Sequence, residues 1–187
     1  MTENPLEDRG RAMEDLFFHD LDQQLVDKMK AEMAADEDRK SLMAATGIED
    51  AAVIESLMSH NVSPETLAGV GLIPLIAVAW ADGKMEDNER EAILKAASET
   101  GIDEKHPCFG LVSSWLNKKP ASTLFDSWKE YIGALKGTLD DAAVSQIKRS
   151  VVDRAKRVAD SAGGFLGIGS TSAAEQSVLQ EMESVFG

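Results

Sequence analysis

With one cysteine in 187 residues the chain has no means of forming an internal disulfide, and that scarcity fits a reducing compartment. Cys108 lies between Pro107 and Phe109 with no base beside it in sequence, the setting of a small buried hydrophobe rather than of a nucleophile. Aromatic residues are also scarce, at 5%. With β-branched residues scattered as well, no stretch carries the alternating pattern of a strand. Positive charge is short: 19 basic residues face 33 acidic ones, for a formal charge of −14. Such a balance repels nucleic acid phosphates and anionic lipid surfaces, so neither nucleic acid nor membrane is an expected partner.

Long apolar runs are missing too. The longest, "VGLIPLIAVAWA" at 70–81, is well short of the roughly 20 residues that a bilayer requires. The start, "MTENPLEDRGRAMEDLFF", lacks the basic leader and apolar core of a signal peptide. These absences predict a soluble cytoplasmic protein. His19, His60 and His106 are isolated from one another and from the cysteine, which leaves no zinc spacing. "GGFLGIG" has no lysine and follows no strand, so it is not a phosphate loop. No serine sits in a nucleophile elbow. The chain is therefore expected to be non-enzymatic and to need no cofactor.

What is present is helix. Hydrophobic residues make up 43%, with only 14 glycines and 5 prolines, a globular composition. Met13, Leu16, Phe17, Leu21, Leu25, Met29 and Met33 recur at three- and four-residue steps over 8–35, one apolar stripe on a helix. That Met-rich stripe is expected to pack on its own domain, and docking on another protein is the alternative. Short helices are expected over 37–46, stopped by Gly47, and over 49–59. Ser63 as cap with Pro64 at the first helical position predicts another helix. A break near Gly71 then frees 72–81, apolar throughout, to be the central helix. Further helices are expected over 86–100, 107–117, 122–135, 140–161 and 172–186. Trp80, Trp115 and Trp128 fall at helical positions and read as core anchors.

One loop occurs twice. Ala81-Asp82, a glycine turn, Met85, then Glu86 with Glu89 three places on matches Ala159-Asp160, a glycine-rich segment, Ile168, then Ser172 with Glu175. Gly83 supplies the positive φ that ends a helix, and Ser172 with Glu175 fits a capping box. The chain thus carries an internal pseudo-repeat of helix-loop-helix units.

"LIAVAWADGKMEDNEREAILKAASETGI" resembles the signature of the TerB-like tellurite-resistance helical domains: an apolar helix, Ala-Asp-Gly, an apolar residue, then a capped helix with Glu-Arg near its start. The resemblance covers residues 71–102 and, more weakly, 140–186, where Ser161 and an insertion replace the glycine that should follow Asp160. It implies an all-α single bundle of pseudo-repeated units with an acidic surface, used in stress-related or signalling assemblies. On this reading residues 1–62 are an N-terminal helical extension and 63–187 the TerB-like domain. Separately, "DRGRAMEDLFFHDLDQQLVDKMKAE" at 8–32 is similar to the start of the ζ-type inhibitors of bacterial F-type ATPases, which implies an inhibitory first helix.

Three functions follow as expectations. The leading one is a non-enzymatic interaction module with a protein partner. In the second, the acidic loops 82–89 and 160–175 lie side by side, and Asp82, Glu86, Glu89, Asp160 and Glu175 bind a divalent cation. No EF-hand spacing supports that site, and helix capping explains the same residues. The third is ATPase inhibition.

Overall fold

The computed structural model describes the backbone of residues 5–162 and 171–187 and the side chains of 23–162 and 171–187. Among the described residues there are eight α-helices and no strand. Ile168, the expected apolar plug of the second loop, lies outside them, as do the side chains of Met13, Leu16, Phe17 and Leu21.

α1 (Pro5–Thr46) is one helix where the sequence suggested two. No glycine or proline interrupts 34–40, and Asp36 pairs with Arg39 at 3.1 Å and Lys40 at 2.6 Å, the i+3 and i+4 partners that hold a turn closed. Lys40, and then Arg39, keep the Asp36 carboxyl below its ordinary range. The helix ends at Gly47, whose φ of 70° only glycine adopts freely.

Contacts divide the chain into two units, 1–40 and 41–187. In the first, residues 23–34 are exposed on every face of the helix. Within it Met29 and Met33 stand 54% and 69% exposed, with Leu25 and Val26 also exposed. The second unit is a helical bundle that begins earlier than the sequence boundary at 63. Leu42, Ile48, Val53, Ile54, Leu57 and Val62 are all buried in its core. α2 (Ala51–Met58) is capped by Asp50 and packs on α6 (Thr123–Lys136), where Ser56 and Ser127 hydroxyls meet at 2.7 Å.

Ser63 does not cap a helix. Its hydroxyl donates to Glu65, its amide donates to the Thr66 hydroxyl, and the chain then runs through a 3-10 segment, Leu67–Leu72. The tight winding has a packing reason: a Cβ on Gly69 would stand 2.4 Å from the Cys108 sulfur. α3 (Ile73–Ala79) starts with Pro74 in its first turn, where the missing amide costs nothing, and buries six of its seven residues. It is the central helix, packed against α4 (Asp87–Glu99), α6, α7 (Asp141–Ser161) and α8 (Ala173–Val185). α5 (Phe109–Asn117) packs on the 3-10 segment.

The core of the bundle is a pair of pairs. α3 leads into α4, and α7 into α8; α3 packs on α7, α4 on α7, and α8 on α3. Exchanging the first pair for the second leaves this pattern unchanged. The internal repeat read in the sequence is thus matched in the packing.

Candidate functional site

Gly83 ends α3's trailing turn at φ 91°, and its amide donates to the Trp80 carbonyl. Asp82 accepts from the Lys84 amide at 2.9 Å, closing a local turn. Half-buried Met85 packs on the core. Glu89 then reaches back to accept from the Glu86 amide at 2.8 Å, the side-chain half of a capping box. The second loop ends in the same device: Glu175 accepts from the Ser172 amide, and the Ser172 hydroxyl accepts from the Glu175 amide at 3.2 Å.

Glu89 and Glu175 are 2% and 4% exposed, two of the three buried polar side chains in the described core. Burial pushes the Glu89 carboxyl up to about 7. The Glu86 amide opposes that rise, while the charges of Glu175, Glu86 and Asp82 add to it. Glu89 thus feels the charge of Glu175 in the second capping box. Four of the five sequence-predicted acids therefore share one field. The fifth, Asp160, is exposed near the end of α7 in the field of Lys156. Neither buried carboxylate is idle, since each satisfies an N-terminal amide of its own helix. Among the described residues no group of three or more His, Cys, Asp or Glu side chains is arranged to hold a metal ion.

The first loop has a second job that the sequence did not reveal. The Trp80 indole donates to the Trp115 carbonyl at 2.9 Å, and Arg90 donates to the Leu116 carbonyl at 2.8 Å and to Asn117 at 3.0 Å. Both acceptors are last-turn carbonyls of α5, which have no partner within their own helix. Lys119 closes the arrangement by donating to the Trp80 carbonyl at 2.7 Å. Two residues of the Trp-Ala-Asp-Gly to Glu-Arg stretch thus fasten α5 to the bundle.

Beside this clamp lies an apolar cleft of about 280 Å³, lined by Ile73, Ile76, Trp80, Leu124, Phe125 and Val178 among others. Lys119, Asp126 and Glu181 contribute its polar edge. Asp126 and Glu181 are tied together through Lys129, which pairs with both. The cleft can receive an apolar group, with the Ser122 hydroxyl and the Asp126 and Glu181 carboxylates at its edge. Cys108 does not line it; burial pushes its thiol above the usual range, and it donates to the Thr66 carbonyl at 3.3 Å.

The described residues of 41–187 are accordingly an all-α bundle in which the pair α3 and α4 packs against the pair α7 and α8. No family model, curated protein or solved structure matches the chain.

Proposed function

We propose that the protein is a non-enzymatic, TerB-like interaction module whose first helix is the arm that engages a protein partner. The exposed stripe of Leu25, Val26, Met29 and Met33 carries this reading. Burying a large aliphatic or Met side chain is worth about 1.5–3 kcal/mol, so a helix that leaves four of them in water gains when a partner covers them. Met side chains adapt to irregular surfaces, which suits such a docking face. The acidic residues around the stripe, Asp27, Glu32 and Asp36, favour a partner whose apolar contact is ringed by Lys and Arg. The TerB-like signature at 71–102 and the two capping boxes support the family reading.

The test is affinity capture from native lysate with the full chain and with a Leu25→Ser, Met29→Ser, Met33→Ser variant, each with calcium and with chelator. The expected result is a partner held by the parent in both conditions and lost by the variant while its circular dichroism is unchanged. Equal retention by both proteins would contradict the docking role. A partner lost only on chelation would instead favour a cation sensor built on the acidic loops, and capture of F-type ATPase subunits an inhibitor.

A further inference from the structure

Against the overall charge of −14, one cavity gathers positive charge. It lies between α4 and α7, has a volume of about 200 Å³, and is lined by Ala92, Lys95, Ala96, Glu99, Arg154 and Arg157. Arg154 and Arg157 are three apart on α7, hence on one face of the helix, and Lys95 comes from α4 opposite. Among the described residues the only carboxylate in the lining, Glu99, stands 3.7 Å from Arg157, a loose pair. Three cations less one carboxylate leave two positive charges at the site.

Arg154 is half-buried, and among the described residues it makes no hydrogen bond or ion pair; nor does Lys95. The neighbouring cations on α7 are used differently: Lys156 pairs with Glu183 at 2.9 Å, and Lys148 reaches the Gly187 carbonyl. A guanidinium drawn part-way out of water without an acceptor is costly, and its fork of donors fits the oxygens of an anion. The alanine floor leaves room above it rather than filling the space with side chain.

We propose that this cavity binds a phosphomonoester group. A dianion matches the two uncompensated charges, its oxygens can take the Arg154 and Arg157 forks, and Lys95 supplies a third donor from the facing helix. Asp153 and Asp160 act on Lys156 in the same stretch of α7, but neither lines the cavity, and charges beyond the Debye length of about 8 Å are screened. The site is independent of the docking arm on α1, and either can fail without the other.

The experiment is titration of the full-length protein with inorganic phosphate at constant ionic strength, followed by amide NMR shifts and by calorimetry, alongside Arg154→Gln and Lys95→Gln. Saturable shifts confined to α4 and α7, with a Kd below about 1 mM and at least about a tenfold loss in Arg154→Gln, are expected. Lys95 is exposed, so its variant tests the site with little risk to folding. Free phosphoserine and a phosphoserine-bearing peptide then separate the two sources of the group. Equal affinity assigns the site to small phosphate esters, and tighter peptide binding to a modified protein. Shifts reproduced by potassium chloride, or unchanged in both variants, would overturn the proposal.

Discussion

Glu89 shows how one residue can serve the fold and burden it. Its carboxylate satisfies an amide at the start of α4, yet burial and neighbouring acids raise its titration to about 7 from an ordinary 4.5. A raised carboxyl binds a proton more tightly in the folded chain than in the unfolded one. Its contribution is therefore most favourable below about pH 4.5 and is lost as pH climbs through about 7, a change on the order of 3 kcal/mol across that window. Glu89→Gln keeps a carbonyl oxygen for the amide and removes the charge. Thermal unfolding should show the variant more stable than the parent at pH 8, with the advantage shrinking towards pH 5. Gly69 makes a separate case. Gly69→Ala drives a methyl into the Cys108 sulfur and should cost about 1–3 kcal/mol in denaturant unfolding. Cys108→Ala should recover part of that loss, giving a measurable coupling in a double-mutant cycle. The capping role of Glu175 was legible from Ser172 three residues earlier. The burial of both glutamates was not, because periodicity does not say what packs over a helix N-terminus.

At the scale of elements, the helices after residue 86 were legible because each is amphipathic and, α5 apart, bounded by a cap or a glycine. Gly83, Gly101 and Gly47 all take positive φ where the sequence placed helix ends. Two readings failed for local reasons. The break expected between 35 and 37 is absent, because charge paired at i+3 and i+4 continues the helix. Ser63-Pro64 resembled a helix start, but Ser63 spends its hydroxyl on Glu65, and the following glycines, with Cys108 against Gly69, favour 3-10 winding. The clamp on α5 was invisible beforehand, since nothing in the spacing of Trp80 and Arg90 names carbonyls far along the chain. Arg90→Ala removes donors to Leu116 and Asn117 and should cost about 1–3 kcal/mol. Hydrogen exchange should then speed up in the last turn of α5 before it does elsewhere in the bundle.

For the molecule as a whole, the composition was enough to predict helix without strand, and the described residues agree. No helix among them is long and apolar enough to cross a membrane. What the sequence could not reveal was the division at residue 40, because the apolar stripe of α1 looks the same whether it is buried or waiting for a partner. The bundle's core lies within 41–187, so deleting residues 1–40 should leave a cooperative unfolding transition within a few degrees of the parent's. The basic cavity between α4 and α7 was hidden for a similar reason: Arg154 and Arg157 read as ordinary solvated charge until α4 is set against them. The two loops bear the most weight, and the titration of the Glu89 side chain, followed by carbon-detected NMR, probes them most directly. Burial predicts a midpoint near 7 in the parent, and neighbouring capping boxes predict a lower one in Glu175→Gln. A midpoint indifferent to the charge at 175 would show that the two loops do not sense one another.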